Sequence, residues 1–240
     1  MYYKYSKNRT KIIAEIHPQH HGSIDEVKRM ILQCKIAGAD FVKVQLYSSN
    51  KLFNDTKRTY IEITKKELTD IKKYSDLIGI ELFASIFDKE RIDWCKKLNF
   101  NYYKIASRSI EDLSLCKKII KIKKPTLISL GMFDYKIKKL PFKEKNVEYL
   151  YCVSKYPTTL SDIEMPDFNK SFFNGYSDHT IGTSACIYAI SKGAKYIEKH
   201  FTTNKATGSK TEMAHVCSMD FDDLKIIREF ADSFVQIGSK

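Results

Sequence analysis

The sequence is poor in the residues that mark non-globular chains. Its 240 residues include 9 Gly and 5 Pro, which excludes a collagen-like or linker-rich architecture. No stretch approaches the roughly eighteen apolar residues of a membrane span. The polar, basic start MYYKYSKNRTK has no apolar segment behind it, so no secretory leader is expected either. The cysteines, at 34, 95, 116, 152, 186 and 217, show no C-x-x-C and no metal-ligand spacing, which predicts reduced thiols and not a disulfide scaffold. Internal repeats and low-complexity tracts are also missing. These absences predict a cytoplasmic, globular protein.

Apolar residues make up 43% of the chain, which excludes disorder and suffices for one sizeable core, so residues 1–240 are read as a single domain. Lys plus Arg number 41 against 29 Asp plus Glu, a net +12, but the lysines are spread along the sequence. Short clusters such as Lys121, Lys123, Lys124 and Lys136, Lys138, Lys139 read as solvated helix faces. No nucleic-acid motif accompanies them, so nucleic acid is not an expected partner, whereas a small anionic substrate suits the charge.

Apolar runs of strand length alternate with segments of helical period, the pattern of repeated β-α units on a parallel sheet. Eight strands are predicted: Lys11 to Ile16, Asp40 to Leu46, Gly79 to Ala84, Tyr102 to Ala106, Pro125 to Ser129, Val147 to Val153, Phe173 to Ser177, and Lys195 to Phe201. Eight such strands predict an α/β fold, a closed and somewhat trimmed (β/α)8 TIM barrel. Ser23 and Glu26 form a capping-box pair ahead of a helix carrying Ile24, Val27, Ile31 and Cys34. Ile92, Cys95 and Leu98 mark a second helix, Leu113, Cys116 and Ile120 a third, and Phe221, Leu224, Ile227, Ala231 and Phe234 a C-terminal one. Between Met132 and Asn146 there is room only for a short helix.

Side chains alternate along a strand, so in FVKVQL the residues Val42, Val44 and Leu46 face the helices and Lys43 and Gln45 point into the barrel with Phe41. A register slip would instead put both polar residues at the surface. The same alternation points Glu15, Lys104, Ser129, Ser177, His179, Glu198 and His200 inward, near the strand ends where barrel enzymes place their chemistry. Two lysines with Ser85, Ser107, Ser129 and Ser177 suit a phosphate or carboxylate. His179 and His200, on neighbouring strands, are a candidate pair for a divalent metal, which is weak evidence taken alone. His17, His20 and His21 follow the first strand, either as a solvated loop or with His20 reaching the barrel mouth.

Taken in order, IIAEIHPQHHGS, AGADFVKVQLY, ELFASIFD, YYKIASRS, LISLGM, YCVSKYPT, GYSDHTIG and IEKHFT resemble the barrel domain of the sialic acid synthase family, from about Ile12 to Ser218. These enzymes condense phosphoenolpyruvate with an N-acetylated aldose, using a divalent metal, to give a 2-keto-3-deoxy sugar acid. The resemblance implies phosphoenolpyruvate contacts at Lys43, Lys104, Ser107, Ser129 and Ser177, with Ser85 where the family usually has Thr. It implies Mn2+ or Mg2+ at His179 and His200, the strand-one glutamate at Glu15, and acceptor contacts at Gln45, Phe87 and Tyr156. Glu15, Lys104, His179 and His200 are then the expected catalytic set.

Departures fall on the acceptor side. Where the family has I-G-x-N-H-x-G this chain reads Ile16-His17-Pro18-Gln19-His20-His21-Gly22. A sugar-binding glutamate is replaced by Ser109 and an asparagine by Ser154. An aspartate becomes Ala214, with His215 and Ser218 kept and Glu212 as a candidate substitute. The expected acceptor is therefore an aldose other than N-acetylmannosamine, in surface carbohydrate biosynthesis of the bacterial type. The matched segments stop before the family's small antifreeze-like domain, which predicts a barrel without its lid, as a homodimer or with a separate lid partner. Two alternatives remain open: a lyase or isomerase acting on a keto-acid sugar, and a non-catalytic barrel.

Overall fold

In the computed structural model, which describes residues 9–207 and 215–238, the apolar runs form eight parallel strands: β1 (Lys11–Glu15), β2 (Phe41–Leu46), β3 (Glu81–Ile86), β4 (Tyr103–Ile105), β5 (Thr126–Ser129), β6 (Val147–Cys152), β7 (Phe173–Asp178) and β8 (Tyr196–His200). Each pairs with its neighbours in sequence order and β8 pairs with β1, closing the barrel. The expected (β/α)8 barrel is thus the observed fold. Of the positions singled out above, Ala214 and Glu212 lie outside the described residues, as does most of the amino-terminal segment.

The α-helices are α1 (Ile24–Ala37), α2 (Ser49–Phe53), α3 (Lys65–Ile78), α4 (Lys89–Lys97), α5 (Leu113–Ile120), α6 (Ser184–Ser191) and α7 (Phe221–Gly238). Ser23 caps α1 by accepting from the Glu26 N–H, as its spacing predicts. The predicted strand starting at Gly79 is corrected: Gly79 ends α3 at φ 70°, and β3 begins at Glu81 and runs two residues beyond Ala84. The trimming is greater than expected. No α-helix lies between β5 and β6 or between β6 and β7, where residues run through turns and one short 3-10 turn at Leu160–Asp162. No described helix is long and apolar enough to cross a membrane.

Strand alternation sorts the side chains as anticipated. Val42, Val44 and Leu46 are fully buried against the helix layer, and the barrel interior is filled in tiers. At the amino-terminal end the Lys11 ammonium lies 5.7 Å from the Phe41 ring centre, with Tyr102 and Tyr196 at 5.9 and 5.8 Å. Above this come apolar residues such as Ile13, Phe83, Leu127 and Leu150, all at most 1% exposed. The top tier is polar.

Candidate active site at the carboxyl ends of the strands

Strand register decides which polar side chains meet. Glu15 stands beside Lys43 and beside His200, Gln45 beside Ser85, Ser85 beside Lys104, and Ser177 between Cys152 and Glu198. Side chains paired across parallel strands point to the same face, so one ring of polar groups surrounds the barrel mouth. They line a cavity of about 470 Å³, a volume suited to a small-molecule ligand.

The two lysines are buried, Lys43 at 3% and Lys104 at 2% exposure, and neither is left uncompensated. Lys43 Nζ lies 2.6 Å from Glu15 Oε2 and 3.2 Å from Glu198 Oε2, and donates to Ser85 Oγ at 2.9 Å. Lys104 Nζ donates to Ser129 Oγ at 2.7 Å and lies 3.5 Å from Glu198 Oε1. Ser177 donates to Glu198 at 2.8 Å, and Ser107 Oγ accepts from the Gly131 N–H at 3.0 Å. Burial opposes the charge on Glu198, but Lys104, Lys43 and the Ser177 hydroxyl outweigh it and hold the carboxyl at about 2. Burial raises the Glu15 carboxyl despite Lys43, and lowers the Lys104 ammonium despite Glu198. The floor of the site is a compact cation–anion lattice in which a ligand carboxylate or phosphate would displace internal partners.

His179 and His200 face each other on one wall, ring centres 6.0 Å apart. His179 Nδ1 lies 2.8 Å from the Val153 carbonyl oxygen and His200 Nδ1 lies 3.2 Å from Gln19 Oε1. Both partners only accept, so each Nδ1 carries a proton, and the neutral form of either ring has its lone pair on Nε2. Imidazoles oriented in this way are the donor set a divalent cation takes. Among the described residues no group of three or more His, Cys, Asp or Glu side chains is placed to hold a metal, so a cation here would complete its shell with water and substrate.

All the expected site residues converge: Glu15, Lys43, Gln45, Ser85, Phe87, Lys104, Ser107, Ser129, Tyr156, Ser177, His179 and His200 line the cavity. Ser154 joins them; Ser109 is buried and is not among the lining residues. The expectation for His20 needs correction. His17 is on the cavity wall, and His20 sits behind it, its Nε2 3.0 Å from His17 Nδ1. His20 Nδ1 accepts from the Gly22 N–H, so its Nε2–H donates to His17, and the His17 Nε2–H donates to the Tyr47 hydroxyl at 3.2 Å. Burial keeps both rings neutral, His20 at about 4 and His17 well below its usual value. Arg58 and Arg108, also on the cavity wall, were not anticipated; both guanidiniums lie against the Phe53 ring, at 4.4 and 5.0 Å. Loop residues of this kind leave no strand alternation to read.

The NeuB family model matches residues 30–239 of the chain. The chain belongs to the NeuB family. It is 34% identical over 212 residues to the uncharacterized protein MJ1065 of Methanocaldococcus jannaschii, covering 82% of this chain and 63% of that protein. It is 34% identical to a pseudaminic acid synthase of Campylobacter jejuni, over 89% of this chain and 70% of the relative. The human N-acetylneuraminate-9-phosphate synthase shares 28% identity over 81% of this chain and 62% of its own length. Against solved structures, the N-acetylneuraminic acid synthetase of Leptospira borgpetersenii superimposes with a TM-score of 0.85 at 27% identity, covering 97% of this NeuB-family chain and 86% of that one. The chain thus spans about two thirds of the length of its curated relatives.

Proposed function

We propose that this NeuB-family barrel condenses phosphoenolpyruvate with an aldose to give a 2-keto-3-deoxy sugar acid. The observation that carries the reading is the juxtaposition, on one cavity, of the Lys43–Lys104 lattice with its serines and the His179–His200 pair. Family relatives named as pseudaminic and N-acetylneuraminate-9-phosphate synthases support the same reaction class.

In this reading Lys43 and Lys104 hold the phosphate and carboxylate of phosphoenolpyruvate, and Ser85, Ser107, Ser129 and Ser177 donate hydrogen bonds to its oxygens. Gln45, Phe87 and Tyr156 hold the open-chain acceptor above it. C3 of phosphoenolpyruvate attacks the aldehyde carbon, water adds at C2, and phosphate leaves. His179 and His200 would hold a divalent cation, which would supply Lewis acidity toward the acceptor's carbonyl. Glu15, its carboxyl raised by burial and its second oxygen held by Lys43, orients or deprotonates the water in this reading. The cavity also has room for more than a three-carbon acid.

The test is phosphate release from phosphoenolpyruvate by the purified protein with Mn2+, over N-acetylated and plain hexoses, pentoses and their phosphates. Release that depends on one sugar supports the synthase and names its acceptor. Absence of release with every sugar, joined to absence of phosphoenolpyruvate binding in calorimetry, overturns it.

A further inference from the structure

Asp178 ends β7 immediately before His179, and Lys199 precedes His200 on β8. Alternation therefore turns this pair away from the cavity, toward the helix layer, and the strand register sets Asp178 directly beside Lys199. Both side chains are completely buried, with Lys199 Nζ 2.5 Å from Asp178 Oδ2. Lys199 also donates to the Thr180 carbonyl at 2.6 Å. The Asp178 carboxylate further accepts from the Tyr176 hydroxyl at 2.8 Å, the Thr180 N–H at 2.9 Å, the Thr180 hydroxyl at 3.1 Å and the Cys186 thiol at 3.2 Å. The residues on both sides of His179 are thus tied to the residue that precedes His200.

Stability alone does not call for such a lattice. Removing two charges from water costs several kcal/mol, and a packed apolar pair of similar volume commonly stabilises as well or better. What an apolar pair cannot supply is a directional link that fixes one strand end against the other. The Nδ1 bonds to Val153 and Gln19 set how each imidazole is turned, but the backbones from which the rings hang must also be held. A cation shared by two imidazoles requires both nitrogens at about 2 Å, so slippage of a few tenths of an ångström between β7 and β8 would weaken it.

We propose that Asp178 and Lys199 are positioning residues that lock the ends of β7 and β8 so that His179 and His200 present their Nε2 atoms to one divalent cation. The inference rests on the metal-dependent reading of the site, and its test separates the two. Mn2+ binding to the full chain without substrate is followed by the electron paramagnetic resonance signal of free Mn2+, beside phosphoenolpyruvate affinity by calorimetry without metal and the melting temperature. The Asp178→Asn, Lys199→Met double variant removes both charges together and so leaves neither one buried alone. Its Mn2+ affinity is expected to fall at least tenfold, within the range seen on removing supports behind metal ligands, while phosphoenolpyruvate affinity stays within twofold. Mn2+ affinity within twofold of the parent overturns the proposal. A matching loss of phosphoenolpyruvate affinity overturns it too, since that would be general loosening of the barrel mouth. Failure of the parent chain itself to bind Mn2+ overturns instead the metal reading on which the proposal stands. If the double variant does not fold, Tyr176→Phe, which removes one donor to Asp178, is expected to weaken Mn2+ about threefold; an unchanged affinity there is equally decisive against the proposal.

Discussion

Lys104 is the residue whose environment most narrowly fits the proposed chemistry. Its ammonium is buried, lowered by burial, and shared between Ser129 and Glu198. Lys104→Ala is expected to reduce kcat/KM for phosphoenolpyruvate by about a hundredfold, the scale on which loss of one preorganised charge-stabilising group acts; a phosphate-release assay measures it. The histidines make a second expectation. His20 is neutral when folded, at about 4, against about 6.5 in the unfolded chain. Between those values the unfolded chain binds more protons, so stability is lost as pH falls from about 6.5 through about 4, by roughly 3 kcal/mol for this group. Urea midpoints measured across that range should fall with pH, and His20→Gln should flatten the slope. Much of this site was legible because strand alternation needs only the sequence: Lys43, Lys104, His179 and His200 all point where their parity says. His17 was not legible. It lies in a loop, and its place on the wall depends on contacts to His20 and Tyr47 that no periodicity encodes.

At the scale of elements, α1 and α3 make an informative pair. Both begin with the same signal, Ser23 with Glu26 and Thr64 with Glu67, and both carry apolar residues at helical spacing, Leu68, Ile71, Tyr74 and Ile78 in α3. In α3 Leu68, Ile71 and Ser75 are buried, and the half-buried Tyr74 and Ile78 carry the apolar stripe on past the serine against the core. The structure shows the full box at α3: the Glu67 N–H donates to Thr64 Oγ1 at 3.3 Å, and Glu67 Oε2 accepts from the Thr64 N–H at 2.8 Å. Thr64→Ala is expected to cost about 1 kcal/mol, read as a lower urea midpoint with an unchanged m value. α6 is not legible in the sequence: SACIYAIS carries almost no polar face, so it shows no periodic contrast. The two connections without α-helices, after β5 and β6, leave Phe142 and Phe168 to cover the barrel from turns.

Across the whole molecule, the barrel separates the groups that hold it together from those that face the cavity. At the end opposite the cavity, Arg228 of α7 donates to the Thr10 carbonyl at 3.1 Å and to Asp40 at 3.0 Å, and lies 2.6 Å from Asp232. Asp40 in turn accepts from the Ile12 N–H and lies 2.5 Å from Arg9. The last helix is thereby fastened to the start of β1 and to the turn before β2. Gly38, in that turn at φ 98°, lets the Arg228 stem pass: a Cβ there would stand 2.6 Å from Arg228 Cγ. Arg228→Met removes the hydrogen bonds to Thr10 and Asp40 while Arg9 stays paired with Asp40 and Asp232, which should destabilise by about 2 kcal/mol. None of these groups touches the cavity, so kcat/KM per folded molecule should stay within twofold, because distant sites without shared partners act independently. Lys104→Ala should instead lose activity per folded molecule, whatever its shift in melting temperature. Measuring melting temperature and phosphate release on both variants tests that division directly: a large kinetic effect of Arg228→Met would mean that the two ends of the barrel are coupled through β1 and β2.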